Sequence, residues 1–231
     1  MINCLIIPAG GSGKRFGSQL PKQFHKLDGI PIIIRTITAF NAIDSIDSIV
    51  IPAPANHVET LNSLFEEYKS PKQVKIIEGG KERQDSVFKA LKTDEATKSD
   101  LVLIHDAVRP FVTANLINKL INIAFVAGGA VPALIPKETI RGIEPDGKYK
   151  TLQRDKLRSI QTPQVFRSEL LIEAFTRAGK EKFLSTDDAA VFEFAGFDYM
   201  IIEGEEHNLK ITSPTDFLTA EFILELSDKN I

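Results

Sequence analysis

Asn3-Cys4-Leu5-Ile6-Ile7-Pro8, running into Ala9-Gly10-Gly11-Ser12-Gly13-Lys14-Arg15-Phe16-Gly17, is the stretch that decides the fold. Residues 3–8 are an apolar run without polar alternation, as a strand buried on both faces requires. The glycines behind it let a backbone come close to phosphates and aim its N–H groups at them. An ordinary strand-to-helix turn would read the same way, so the individual letters have to decide.

They exclude two nucleotide grips. A dinucleotide fingerprint needs a third glycine three residues after the second; after Gly11 and Gly13 that place holds Phe16. The second strand, 48–52, also ends without an acidic residue for a ribose. A Walker loop needs Ser or Thr after Gly-Lys, but Arg15 follows Gly13-Lys14 and Pro8 stands where the first glycine belongs. What remains is a glycine loop carrying Arg15, then Pro21-Lys22-Gln23.

Working outward, helical patterns at 31–43, 57–69, 84–92 and 114–126 alternate with apolar runs at 48–52, 74–78 and 101–105. This order predicts an α/β fold: a Rossmann-like, mostly parallel sheet with helices on both faces. The alternation breaks near Pro132. Residues 139–143 and 150–153 then predict a hairpin around Glu144-Pro145-Asp146-Gly147, a turn signal because Pro presets φ and Gly accepts φ > 0. An isolated hairpin is marginal in water. The arm, 136–158, is therefore expected to pack on a second subunit, or else on its own domain. Helices at 168–178, 187–195 and 215–226 follow, with strands at 197–203 and 208–212, and Ser185 or Thr186 can cap the helix at 187.

The chain of 231 residues fits one domain, 1–231, with ordinary globular proportions of 43% hydrophobic and 26% charged residues. A single cysteine, Cys4, excludes an intrachain disulfide and reads as a buried thiol. No secretory pattern and no membrane-spanning run is visible, so a soluble, cytoplasmic protein is expected. The net charge of −3 argues against sequence-independent nucleic-acid binding. Against that average, Lys14, Arg15, Lys22, His25 and Lys26 cluster beside the loop, which suits a small polyanion.

Three further groups carry chemistry. Gly79-Gly80-Lys81-Glu82-Arg83-Gln84-Asp85-Ser86-Val87 is a second glycine turn opening a helix, with Ser86 and backbone groups placed to read a base edge. His105-Asp106-Ala107-Val108-Arg109-Pro110 ends a buried strand, where ligands bind in open α/β sheets. There Asp106 and Arg109 either pair with each other or meet ligand, Asp106 a metal or hydroxyls and Arg109 an anion; His105 reads as structural. Asn208-Leu209-Lys210-Ile211-Thr212 places a lysine in the short strand at 208–212, beside the polar clusters Gln161-Thr162-Pro163-Gln164 and Ser185-Thr186-Asp187-Asp188.

Together these ordered motifs, spanning nearly the whole chain, resemble the 2-C-methyl-D-erythritol 4-phosphate cytidylyltransferase family of the sugar-type nucleotidyltransferases. The resemblance implies transfer of CMP from CTP to 2-C-methyl-D-erythritol 4-phosphate with release of pyrophosphate, in the non-mevalonate isoprenoid pathway, by a homodimer. It implies that Arg15 and Lys22 stabilise the α-phosphate transition state, and that Lys210 and Arg154 position the acceptor phosphate, Arg154 in the other subunit's site. Pro8, Ala9, Gly10, Gly11, Gly80, Arg83 and Ser86 would hold the nucleotide, and Asp106, Arg109, Thr139, Thr162 and Thr186 the acceptor. Mg²⁺ would bridge triphosphate oxygens, with Asp106 as an optional ligand. Gly11, Lys137 and Arg158 depart from the common family pattern and bear on the acceptor pocket. Ribitol 5-phosphate cytidylyltransferase is the alternative within the chemistry; an oxidoreductase and a nucleotide-sensing module are the alternatives outside it.

Overall fold

The computed structural model describes residues 1–11 and 20–228. Its first half runs β1 (Asn3–Ile6), a 3-10 turn (Lys22–Phe24), β2 (Lys26–Leu27), β3 (Ile30–Pro31), α1 (Ile32–Asn41), β4 (Ser48–Ala53) and α2 (Ala55–Tyr68). Then come β5 (Gln73–Glu78), α3 (Arg83–Leu91), α4 (Asp94–Thr97), β6 (Leu101–Ile104), α5 (Ala114–Ala127) and β7 (Gly129–Leu134). The hairpin is β8 (Arg141–Ile143) and β9 (Tyr149–Thr151). β10 (Ser159–Ile160), β11 (Gln164–Arg167), α6 (Ser168–Glu181), α7 (Asp188–Phe194), β12 (Met200–Glu203) and α8 (Pro214–Asp228) complete the chain.

Among the described residues, eight strands make the main sheet, in the order β10-β7-β11-β6-β1-β4-β5 with β12 also pairing β7. β1 lies between β4 and β6 and is parallel to both, and β4 is parallel to β5. Alternate residues of each strand enter opposite cores. Leu5, Ile49 and Leu103 face α1, α2 and α5 with Ile33, Ile37, Phe40, Leu116 and Leu120. Cys4, Ile6, Val50 and Val102 face α3, α6 and α7 with Val87, Leu91, Phe175 and Phe192. Each fully buried Ile or Phe contributes about 1.5–3 kcal/mol by leaving water, which is why strands apolar on both sides sit mid-sheet. Burial also pushes the Cys4 thiol up to about 12, against a hydrogen bond from Ser48, so it is an inert core group.

The sheet is larger than the sequence pattern predicts. β7, β10 and β11 lie where the alternation breaks, and β11 runs antiparallel to both β6 and β7. β7 carries Gly129 and Pro132, the place where the alternation breaks in sequence. The small residue is demanded by packing: a Cβ on Gly129 would lie 2.7 Å from the Phe166 ring and 2.9 Å from Tyr199 Cβ. Residues 208–212 form no strand, contrary to expectation; only the Ile211 N–H reaches Val108 O, at 3.0 Å. The cap of α7 is Asp187, accepting from Ala190 N at 3.0 Å, not Ser185 or Thr186.

Candidate active site

A cavity of about 380 Å³ opens at the carboxyl ends of β1, β4, β5 and β6. The chain leaves β1 toward β4 on one side while β6 lies on the other, so the hollow sits at the point where strand order reverses, where open α/β sheets bind ligands. Its wall contains Pro8–Gly11 after β1, Pro54 after β4, Gly80–Arg83 and Ser86 after β5, and Asp106–Val108 after β6. Lys22, Gln23 and Lys210 complete it. Among the described residues Lys22, Lys81, Arg83 and Lys210 bring four cations to one hollow that also holds the carboxylates of Glu82 and Asp106. Such a surface favours a ligand with several negative charges.

The second turn is built to stay tight. Ser86 Oγ accepts from Gly80 N at 2.9 Å and donates to Glu82 O at 3.0 Å, so its hydroxyl shapes the turn. A Cβ on Gly80 would stand 2.2 Å from Asp85 Cβ, which only glycine avoids. A capping box between Glu82 and Asp85 starts α3 there. Arg83 reaches from this helix to Asp188 on α7, at 2.6 Å. Burial works against the Arg83 charge, but Asp188 outweighs it and holds the guanidinium protonated.

Beneath the wall lies a closed polar network. His105 is fully buried, with Nε2 against Arg109 O at 3.0 Å and Nδ1 against Thr162 Oγ1 at 3.1 Å. A carbonyl only accepts, so Nε2 carries the proton and Nδ1 accepts from the Thr162 hydroxyl. Thr162 Oγ1 in turn accepts from Asp106 N at 3.0 Å. Asp106 Oδ2 takes Arg109 Nε at 3.1 Å and Lys210 Nζ at 3.0 Å. Arg109 Nη1 donates to Asn208 O at 2.7 Å, and Asn208 Nδ2 to Thr162 O at 2.8 Å. Burial alone would raise the Asp106 carboxyl; Lys210, Arg109 and Arg83 reverse that and hold it well below the usual carboxylate range.

Burial lowers His105 to about 4, and the Arg109 carbonyl only partly opposes the shift. The folded chain therefore refuses a proton that the unfolded chain takes up near 6.5. Stability from this group is present above that value and is lost as pH falls toward 4. Between pH 7 and pH 5 the loss is about 2 kcal/mol. Urea unfolding of wild type and His105→Gln at both values checks it: the variant should lack this part of the pH slope. Equal slopes would mean that His105 titrates normally when folded.

The structure brings Pro8, Ala9, Gly10, Gly11, Lys22, Gly80, Arg83, Ser86, Asp106 and Lys210 together in one cavity wall. Arg15 lies outside the described residues. Arg109 and Thr162 are not in the cavity wall: both are buried, Arg109 between Asp106 and Asn208, and the one Thr162 proton is committed to His105. The expectation of Arg109 beside an anion gives way to the ion pair with Asp106. Thr139 and Thr186 are exposed and also stand outside the wall. Arg154 is exposed beside the hairpin, donating to Lys137 O at 2.9 Å. Gln23 and Lys81 belong to the wall without having been given a role; both stand inside quoted motifs, but a neutral amide and a rim lysine carry no chemical signature in a sequence. Among the described residues no group of three or more His, Cys, Asp or Glu could hold a metal by itself. Asp106, a wall carboxylate beside these cations, fits Mg²⁺ only where a ligand supplies further oxygens, since that ion is commonly held by one or two carboxylates plus phosphates.

A family model described as 2-C-methyl-D-erythritol 4-phosphate cytidylyltransferase matches residues 3–226. The proteins so named from Halalkalibacterium halodurans and Bacillus cytotoxicus are 40% and 38% identical, covering 95% and 96% of this chain and 96% and 97% of their own. The crystal structure of 4-diphosphocytidyl-2C-methyl-D-erythritol synthase from Anaerococcus prevotii superposes with a TM-score of 0.85 at 28% identity, covering 97% of this chain and 98% of its own. That of the Thermus thermophilus cytidylyltransferase gives 0.79 at 30%, covering 97% and 100%.

Proposed function

The chain belongs to the 2-C-methyl-D-erythritol 4-phosphate cytidylyltransferase family, and from that premise we propose how its own residues carry out the reaction. The activity is transfer of CMP from CTP to 2-C-methyl-D-erythritol 4-phosphate, in non-mevalonate isoprenoid precursor synthesis. An oxygen of the acceptor phosphate attacks the α-phosphorus in line. The new P–O bond forms as the bond to the bridging oxygen breaks, and pyrophosphate leaves. The nucleophile is already an anion, so no general base is needed, in keeping with a His105 locked neutral in the core.

The difficulty is bringing two polyanions together, so electrostatics and positioning carry the rate. The observation that carries the reading is the convergence of Lys22, Lys81, Arg83 and Lys210 with the glycine turns at 10–11 and 80 on one cavity at the switch point. Pro8–Gly11, Gly80 and Ser86 hold cytosine and ribose; Lys22, with Arg15, meets the charge developing at the α-phosphate; Lys210, set by Asp106, receives the acceptor phosphate. Mg²⁺, with Asp106 as the residue at hand, would neutralise charge on the triphosphate. Asp106, Thr139 and Thr186 are assigned to the acceptor, and Arg109 and Thr162 support Asp106 from behind. A cytoplasmic setting belongs to the same reading; no described helix is long and apolar enough to cross a membrane.

Two chains working as a dimer complete it. Ile143 and Tyr149 on the hairpin are 73% and 71% exposed. At its foot is a hollow of about 650 Å³ whose lining includes Leu134, Ile135, Arg158, Ile201 and Ile202. Burying these against a second copy would let Arg154 enter the partner's site. Arg154→Ala is then expected to weaken use of the acceptor about tenfold or more. Mixing it with inactive Lys22→Ala should restore activity, because each mixed dimer contains one site with both residues intact. No recovery on mixing would confine Arg154 to its own subunit. The assay throughout is pyrophosphate release with CTP and either methylerythritol phosphate or ribitol phosphate; preference for ribitol phosphate would overturn the acceptor assignment.

A further inference from the structure

We infer that Gln23 is a positioning residue: its carboxamide ties the turn at 21–25 to the Ala9 carbonyl after β1 and so sets where Lys22 stands in the cavity. The inference rests on the reading of Lys22 as a group acting on the transferred phosphate. Gln23 is 2% exposed, yet it belongs to the cavity wall beside Ala9, Gly11 and Lys22. Its Nε2 donates to Ala9 O at 2.8 Å, across fourteen positions of the chain.

Both ends of this bond are fixed. On the entry side, Ala9 N donates to Pro52 O at 2.9 Å, so the Ala9 peptide is stitched to the end of β4. On the exit side, Phe24 N donates to Pro21 O at 2.9 Å and His25 N to Lys22 O at 3.2 Å, which closes the turn carrying Lys22 and Gln23. Phe24 anchors that turn in the core, with the His57 ring of α2 5.3 Å from its own. The Lys22 stem passes along Gly11, where an added Cβ would lie 3.7 Å from Lys22 Cε. One side-chain hydrogen bond therefore fixes the turn that presents Lys22 against the backbone that lines the nucleotide pocket.

The chemistry of the bond is specific. Its acceptor is a carbonyl, so position 23 must supply a donor. Met matches the reach of Gln without a donor. An ionised Glu offers only acceptors and sets a negative charge against the carbonyl oxygen, whereas a protonated Glu regains one O–H. Losing the donor takes from the buried Ala9 carbonyl the partner it has among the described residues and lets the turn shift, and a shift of about 1 Å can cost a hundredfold in rate.

The test is steady-state pyrophosphate release by wild type, Gln23→Met and Gln23→Glu, each first checked for folding by thermal melting. Gln23→Met should lower kcat about tenfold or more while KM for CTP changes less than about threefold. Gln23→Glu, ionised and offering only acceptors, should lower kcat at least as far. A role limited to general stability would lower the melting temperature without this split between kcat and KM. Unchanged kcat in Gln23→Met would overturn the inference while the transfer reading stands. A wild-type chain that releases no pyrophosphate from CTP would sink both.

Discussion

Lys22→Ala is expected to slow pyrophosphate release by roughly a hundredfold to a thousandfold, with CTP binding changed far less. The reason lies in when its charge matters. In bound CTP the α-phosphate shares its charge with the rest of the triphosphate, and Lys81, Arg83 and Lys210 on the same wall still attract that polyanion. During transfer, charge builds at the α-phosphorus as the acceptor oxygen arrives and the bridging oxygen departs. A cation held next to the Ala9–Gly11 backbone acts most on that moment, so its removal appears in kcat. Single-turnover rates at saturating CTP, with CTP affinity measured by titration, separate the two. Near-normal turnover would remove Lys22 from the mechanism, and loss confined to affinity would make it a binding residue only.

The part of the site that was legible in the sequence is the part built from consecutive residues. Pro8–Gly11, Gly80–Ser86 and Asp106 each follow a strand whose apolar run is plain, and a parallel sheet brings such strand ends together. The parts that were not legible depend on pairings between distant segments. Arg109 sits five residues beyond β6, as an anion-binding residue could, but the carbonyl of Asn208, ninety-nine residues away, claims its guanidinium. Thr162 likewise commits its hydroxyl donor to His105, across fifty-seven residues. β7 was hidden because Gly129 and Pro132 interrupt a strand pattern, while the need for a small residue there comes from Phe166 on β11 and Tyr199 just before β12. Local letters report local conformation; they do not report which buried donor meets which acceptor.

The same network makes Asp106 the residue whose loss should cost most in stability. Its carboxylate is the anion between two cations, Arg109 Nε at 3.1 Å and Lys210 Nζ at 3.0 Å. Arg109 is 8% exposed and cannot turn to water without opening the loop between β6 and the 208–211 segment. Removing one partner of a buried pair leaves the other charge uncompensated, at about 3–5 kcal/mol. Asp106→Ala should therefore melt roughly 10 °C lower than wild type, and kcat should fall because Lys210 loses the group that aims it. Adding Arg109→Met separates two explanations. If the stranded charge is the main cost, Asp106→Ala with Arg109→Met will be more stable than Asp106→Ala alone, although it has lost one more contact. If instead the double variant is less stable, the ion pair was favourable in its own right and Arg109 gains its stability from the Asn208 carbonyl. Asp106→Ala melting with wild type would show that neither account holds and that the loop is fixed by His105 and Thr162 alone.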